Sequence, residues 1–400
     1  MRSVSTDCNN PSEYGQVRRI VDEVASRVAP RAHAVFVRTP VIDPDFAGTS
    51  DLDFIVFSDV EELYPERLEP AAADGDQRRI VDLTWLPAAW LNDPEFLSAH
   101  GLIAHRLATS TLVFGADDQT AAQAAVTRNF YRPDIQQRRL SGFLELGSLT
   151  VREIGVTWDF PALALFWLHM AHTACLAAAL DGLRRHCPNV YTRPFGYLAE
   201  LDAIAGADFA SEWTRTLCLD ADPAEAIVAV RRVREIVARQ FPEPAWPASM
   251  RAATRFEYRY WLRREESEWR ISVAEEMCRH GHAAAALHYL RFLAYALARV
   301  PMIHARAAEG RDVSYLRPEK AVGPDLSRLC PAILGDLNTV LAGRRAPLVT
   351  TVERALASLH VFRERVVEIL REWGAPVPTL TPWTPYRPAP RDRKEAPCQI

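Results

Sequence analysis

The sequence has almost no lysine, since Lys320 and Lys394 are the only two among 47 basic residues. Arginine therefore carries nearly all of the positive charge, a bias typical of GC-rich genomes that by itself indicates no function. The formal net charge is −4 and the isoelectric point is about 6.3. The chain thus lacks the overall positive field that supports nucleic-acid binding, which argues against a nucleic acid as partner.

Cysteine is scattered as well: the seven residues include no Cys-x-x-Cys pair and no Cys/His cluster at zinc-ligand spacing. That pattern predicts reduced thiols and a cytoplasmic chain. The first residues, MRSVSTDCNN, lack the apolar core of a signal peptide. No apolar run approaches the roughly 20 residues needed to span a bilayer, so we expect a soluble protein with no membrane partner.

What is present is an ordinary globular composition, 48% hydrophobic and 24% charged, in a chain of 400 residues. That length predicts two or three domains. Strand-like and helix-like patterns alternate at first, and helical periodicity alone follows. We predict an α+β protein with a mixed sheet and flanking helices at 1–120, a helical bundle at 121–245, a second bundle at 246–378 and a disordered, proline-rich tail at 379–400.

The first unit contains apolar runs that predict strands at residues 32–37, 54–57, 78–85 and 110–115. Apolar residues three and four apart predict a helix over Gln16–Val28 and another over Leu97–Leu107. The acidic stretch Glu61–Glu69 is expected to begin a further helix.

Two carboxylates stand two residues apart at the head of one predicted strand. Successive strand side chains point to opposite faces, so Asp51 and Asp53 project to the same side. Two acids on one face can hold a hard divalent cation such as Mg²⁺, whereas without a ligand their like charges would destabilise the strand. A third acid, Asp82, lies inside the apolar run RRIVDLTW, where burial is costly unless the carboxylate is paired, hydrogen-bonded or metal-bound.

These three carboxylates converge on one point if the strand of Asp82 lies beside the strand of Asp51 and Asp53. Two Mg²⁺ ions bridging to a nucleoside triphosphate would relieve their mutual repulsion. Such an arrangement supports in-line phosphoryl transfer.

Residues 16–116 resemble the nucleotidyltransferases of the DNA polymerase β superfamily. The resemblance rests on the strand Ala34-Val35-Phe36-Val37, on Ser50-Asp51-Leu52-Asp53-Phe54 after an intervening loop, and on the later Asp82. It is closest to the small-molecule branch, which includes the aminoglycoside nucleotidyltransferases and also places a helical domain after the catalytic unit. The resemblance implies that Asp51 and Asp53 hold two Mg²⁺ ions, and that Asp82 holds the catalytic ion and helps to deprotonate the acceptor.

One position departs from the family pattern. Where these enzymes have Gly-Ser after the first strand, this chain has Arg38-Thr39. Thr39 and Ser50 can supply hydroxyls to the triphosphate, or each can cap a turn. Arg38 either contacts the phosphates through its side chain or accompanies a remodelled turn. We therefore predict Arg38, Thr39 and Ser50 as nucleotide-binding residues.

The helical part offers weaker candidates. In the small-molecule branch an acid of the helical domain can act as general base; Glu145 and Glu153 lie in apolar surroundings and either fill that role or are surface or paired glutamates. His169 and His172 lie three residues apart on one helix face, but without a visible third ligand they are interpreted as core or groove histidines. The segment 191–195 is either part of a pocket or a helix-end loop.

The resemblance and the carboxylates together predict a Mg²⁺-dependent nucleotidyltransferase. It would move an NMP, most simply AMP from ATP, onto a hydroxyl or similar group of a small molecule and release pyrophosphate. Two alternatives remain at this stage. In the first, the acceptor is a protein or a tRNA end, as in toxin-like members of the superfamily. In the second, the chain is a degenerate nucleotide-binding regulator, an interpretation that Arg38 at the glycine position favours. The sequence does not indicate an oligomeric state.

Overall fold

The structure is a computed structural model. It describes residues 11–38, 52–61, 63–68, 81–157, 161–191, 193–248, 250, 252–310, 322–343 and 349–377. The predicted tail at 379–400 lies outside the described residues.

The N-terminal part of the chain forms a five-stranded sheet. Its strands are β1 (Ala32–Arg38), β2 (Leu52–Ser58), β3 (Tyr64–Leu68), β4 (Val81–Pro87) and β5 (Ser110–Phe114). The order across the sheet is β3-β4-β2-β1-β5. Strands β2 and β4 pair in parallel, while the other described pairs are antiparallel. The prediction of an α+β protein with a mixed sheet is confirmed.

Helices cover both faces of this sheet. They are α1 (Pro11–Val28), α2 (Pro94–Ala99), α3 (Gly101–Ala108) and α4 (Asp117–Asn129). Helix α1 packs its buried face on one side, against Val35, Phe54 and Val56, and the other three pack on the opposite side, against Phe36 and Phe57. Burial on both faces explains why β1 and β2 read as nearly continuous apolar runs.

Two local predictions in this unit are wrong. The stretch expected to begin a helix at Glu61–Glu69 contains the edge strand β3, because an edge position tolerates Pro65 and charged residues while pairing with β4 supplies its hydrogen bonds. The helix expected over Leu97–Leu107 is two helices, which separate at His100. Gly101, with a φ of +30°, begins the second of them.

The rest of the described chain is helical. Its helices are α5 (Pro133–Thr157), α6 (Pro161–Gly182), α7 (Pro194–Ala205), α8 (Phe209–Thr216), α9 (Pro223–Gln240), α10 (Ala252–Leu262), α11 (Arg264–Arg279), α12 (Ala283–Ala308), α13 (Val322–Leu329), α14 (Leu334–Ala342) and α15 (Val349–Glu372). One continuous apolar cluster runs through these helices, from Leu140 on α5 to Leu370 on α15. Extended backbone at Arg263 separates α10 from α11.

Helix α6 lies at the centre of the helical part. By length and composition it is apolar enough to cross a bilayer, which corrects the expectation that no run approaches that length. However, 94% of its most apolar window is buried inside the protein. A helix that is apolar on all sides and surrounded by other helices is the expected centre of a large helical core. Its composition is therefore accounted for by packing against α5 and α15.

Three buried histidines lie in that core: His169 and His172 on α6, and His288 on α12. The Nε2 of His288 lies 2.8 Å from the carbonyl oxygen of Tyr191, so this nitrogen carries the proton. The Nδ1 of His288 then accepts from the Nε2 of His169 at 2.8 Å. Burial lowers the pKa of all three, to about 4 for His172 and His288. The interpretation of His169 and His172 as core histidines is confirmed.

This cluster predicts a loss of stability in mild acid. Below about pH 6.5 the unfolded chain binds protons on these histidines while the folded chain keeps them neutral, so the free energy of unfolding falls as pH drops toward 4. Each histidine contributes a slope of up to about 1.4 kcal/mol per pH unit. Urea denaturation of His172→Phe between pH 7 and 4.5 should show a slope smaller by up to that amount. An unchanged slope in His172→Phe would contradict the prediction.

Candidate functional site

Two of the three predicted acids lie side by side in the sheet. Asp53 is the second residue of β2 and Asp82 the second residue of β4, and the parallel pairing places them directly opposite each other. In-register neighbours of a parallel pair project to the same face, here the face covered by α2, α3 and α4. Both side chains are about one quarter exposed. Two carboxylates thus converge at one end of the sheet, at the edge of its packed core.

An arginine flanks each carboxylate. The Nη1 of Arg38, at the end of β1, donates to Oδ2 of Asp53 at 3.1 Å. Arg67 on β3 lies opposite Asp82 in the antiparallel register and donates from Nε and Nη2 to its Oδ1, at 3.0 and 2.8 Å. Four charges therefore follow the strand order across the sheet as Arg67, Asp82, Asp53 and Arg38, which we name the charged row. The outer guanidiniums offset the repulsion between the two inner carboxylates.

The helical part of the chain contacts both arginines of the charged row. Arg38 also donates to the side-chain oxygen of Asn189, which lies between α6 and α7. Arg67 forms an ion pair with Glu266 on α11 and donates from Nη2 to the hydroxyl of Tyr260 on α10 at 2.9 Å. The charged row therefore lies where the sheet meets the helical part, the kind of location that binding sites favour.

An aromatic group supports the Arg67 end of the row. The guanidinium of Arg67 lies 4.6 Å from the ring centroid of Tyr260, within cation–π range. Arg270 donates to the same Tyr260 hydroxyl and, at 3.0 Å, to the hydroxyl of Tyr289 on α12. Burial raises the pKa of Tyr260 against the opposing effect of Arg270, so its hydroxyl stays protonated near neutral pH. These contacts hold the Arg67 guanidinium in a fixed orientation.

The other predicted residues fall into two groups. Asp51, Thr39 and Ser50 lie outside the described residues. Glu145 is an exposed residue of α5, and the side chain of Glu153 also lies outside the description. Of the predicted site residues, the structure brings together Arg38, Asp53 and Asp82.

Four residues of the site were not predicted from the sequence: Arg67, Asn189, Tyr260 and Glu266. The register of β3 would have indicated Arg67, because it pairs with Asp82, but that segment was interpreted as a helix. Tyr260 is 193 residues from Arg67 along the chain, and Asn189 is 151 residues from Arg38. No local pattern marks contacts of such separation.

The donor chemistry of the pair fits a divalent cation. Carboxylate oxygens are the ligands that Mg²⁺ prefers, and Asp53 and Asp82 present them from adjacent, in-register positions. Among the residues that the structure describes, no group of three or more His, Cys, Asp or Glu side chains is arranged to hold a metal. The sequence pattern predicts Asp51, which lies outside the described residues, as the third carboxylate. A cation at this point would also compete with Arg38 and Arg67 for the carboxylates.

Comparison with known proteins adds little. No protein-family model matches the chain, and no curated protein matches it. Among solved structures, the chain is similar to a nucleotidyltransferase-like protein from Exiguobacterium sibiricum, with 11% sequence identity and a TM-score of 0.23. That match covers 89% of this chain and 78% of the other. A TM-score this low establishes neither a shared fold nor a shared activity.

Proposed function

We propose that the protein is a Mg²⁺-dependent nucleotidyltransferase that moves an NMP from an NTP, most simply AMP from ATP, onto a hydroxyl or similar group of a small molecule. The observation that carries the proposal is the in-register pairing of Asp53 with Asp82 at the end of parallel strands β2 and β4. Two carboxylates at one sheet end, together with the sequence pattern around Asp51, suit a two-metal phosphoryl-transfer site.

In this proposal Asp51, Asp53 and Asp82 hold the metal, which when bound supplies positive charge to the reacting phosphate. Asp82 takes the proton of the acceptor hydroxyl. The acceptor oxygen forms a bond to the α-phosphorus, the bond from that phosphorus to the bridging oxygen breaks, and pyrophosphate leaves with the bonding electrons. Each nucleotide transferred thus yields one pyrophosphate, and the acceptor's proton is accounted for.

Of the two arginines of the charged row, Arg38 is the proposed phosphate contact, because the Arg67 side chain is 3% exposed and is held by Asp82 and Glu266. A guanidinium presents a planar fork of donors that matches phosphate oxygens, and arginine keeps its charge when partly buried. Arg38 lies beside Asp53 at the end of β1, and its side chain is 12% exposed. Guanidinium contact would therefore replace the close backbone approach that glycine permits elsewhere in the superfamily. Thr39 and Ser50 are proposed as further phosphate ligands.

One observation favours a second candidate. Because each carboxylate already contacts an arginine, the row is neutralised without a metal. A nucleotide-binding regulator without turnover would need no more than such a row of fixed charges. This candidate shares the nucleotide site with the first and differs in predicting no reaction.

An assay in two steps separates the candidates. The first step measures binding of ATP, GTP, CTP and UTP with Mg²⁺ and with EDTA, and the second measures pyrophosphate release across a panel of hydroxyl- and amine-bearing small molecules. Mg²⁺-dependent binding with release for at least one acceptor is the expected result. Binding without release across the panel, which should include a tRNA and a protein fraction, would favour the regulator. Absence of binding to all four nucleotides would overturn both candidates.

A further inference from the structure

Arg67 is held between two carboxylates that differ in exposure. Its side chain is 3% exposed and reaches Asp82, which is 27% exposed, on one side. On the other side it pairs with Glu266, which is 7% exposed. Arg67 therefore lies between Asp82, a carboxylate that solvent and ligands can reach, and Glu266, a buried carboxylate on α11. The Arg67 guanidinium thus has two carboxylate partners.

The second partner, Glu266, determines whether Asp82 can leave Arg67. A buried guanidinium that loses its only carboxylate partner is strongly destabilised, because nothing offsets the loss of hydration. If Asp82 turns toward a cation, Arg67 keeps its ion pair with Glu266 and its hydrogen bond to Tyr260. Without the negative charge at position 266, Asp82 would be the one carboxylate that neutralises Arg67. Release of Asp82 would then leave a buried, unneutralised charge.

We propose that Glu266 is a positioning residue that retains Arg67 and so frees Asp82 to bind a divalent cation. The inference rests on the proposed metal site and adds a regulation of that site by the helical part. The fixed orientation of Arg67 against the Tyr260 ring means that it stays in place while its charge balance shifts from Asp82 to Glu266. Glu266 contacts neither nucleotide nor metal in this proposal; it acts through Arg67.

The test is Glu266→Gln with Mn²⁺ alone as the probe. Free Mn²⁺ is measured by its electron paramagnetic resonance signal during titration of the full-length protein. Glutamine keeps the size and one acceptor oxygen of glutamate but removes the charge, so Arg67 should hold Asp82 more firmly. We expect Mn²⁺ affinity to fall about tenfold or more.

Two further variants exclude a general structural effect. In Arg67→Gln/Glu266→Gln the competing guanidinium is gone, so Mn²⁺ affinity should return to the wild-type level or above. The matched control is Glu257→Gln, which removes a buried glutamate on neighbouring α10 that pairs with Arg299 at 2.8 Å. Mn²⁺ affinity should be unchanged there, and circular dichroism should show the wild-type fold in every variant used.

The outcomes separate this inference from the proposed function. If wild-type protein binds no Mn²⁺, or binds it equally well with Asp82→Asn, the metal site itself is overturned, and the inference with it. If binding depends on Asp82 but is the same in Glu266→Gln as in the wild type, only the role of Glu266 is overturned. A loss in Glu266→Gln that the double variant fails to restore would also overturn it.

Discussion

Replacing Asp53 and Asp82 together by asparagine should lower the rate of pyrophosphate release by about 10³-fold or more. Asparagine keeps the size of aspartate but removes the charge that holds a cation and the base that accepts a proton. The stabilisation that a bound metal gives to developing phosphate charge amounts to several kcal/mol, and each 1.36 kcal/mol is tenfold in rate. The measurement is pyrophosphate release with the nucleotide and acceptor found in the screen.

The same experiment needs a control for charge. Asp59, an exposed residue just after β2, and Asp117, an exposed residue at the start of α4, can be changed to asparagine together. This variant loses two carboxylates in the same unit and should keep wild-type release. Each single variant, Asp53→Asn or Asp82→Asn, should lose nearly as much as the double, because residues that act on one centre are not additive. Unchanged pyrophosphate release in Asp53→Asn/Asp82→Asn would eliminate the catalytic assignment.

We expect Asp53→Asn/Asp82→Asn to keep its fold, because both arginines of the charged row have partners in the helical part of the chain. Arg67 keeps its ion pair with Glu266, and Arg38 keeps its hydrogen bond to Asn189. Neither guanidinium loses every partner when the inner carboxylates become amides. The expected loss of release is therefore a loss of chemistry at the sheet end, which a wild-type circular dichroism spectrum would verify.

The sheet could be predicted from the sequence to the extent that its strands are buried on both faces. Continuous apolar runs marked β1, β2 and β4, and their acids marked the site. The sequence predicted that Asp53 and Asp82 lie together only on the condition that β4 pairs with β2. That pairing is set by tertiary packing, which the sequence pattern does not show. Strand β3 was not predicted, because its charged residues and proline do not form the apolar run that marks a buried strand.

The partners of Arg38 and Arg67 show more clearly which contacts a sequence pattern does not indicate. Arg38 was identified because it replaces a family glycine, but its contact with Asn189 depends on how the helical part packs against the sheet. Arg67 and Glu266 lie in segments whose local patterns indicate ordinary charged surfaces. They become a buried pair when α10 packs on β3, which brings α11 close as well. Contacts of this kind have no local signature in the sequence.

A second buried pair joins the two parts of the molecule away from the charged row. Arg139 on α5 donates from Nε and Nη2 to the two carboxylate oxygens of Asp181 on α6, both at 2.7 Å. The same guanidinium donates to the carbonyl oxygens of Ser98 on α2, at 2.6 Å, and of Phe130, at 2.8 Å. Both charged side chains are fully buried. One arginine thus ties the helix layer on the sheet to the centre of the helical part.

Asp181→Asn should therefore lower the free energy of unfolding by about 3–5 kcal/mol, measured by urea denaturation at pH 7. The amide places a donor against a guanidinium that has no other carboxylate among its described hydrogen bonds, so a buried charge is left without compensation. Asp134→Asn, which removes an exposed carboxylate near the start of the same α5, should leave the unfolding midpoint nearly unchanged. Removing both charges in Arg139→Met/Asp181→Leu should recover part of the loss, because no unpaired charge remains, although Ser98 and Phe130 lose a donor. Wild-type stability in Asp181→Asn would mean that this pair does not hold the two parts of the molecule together.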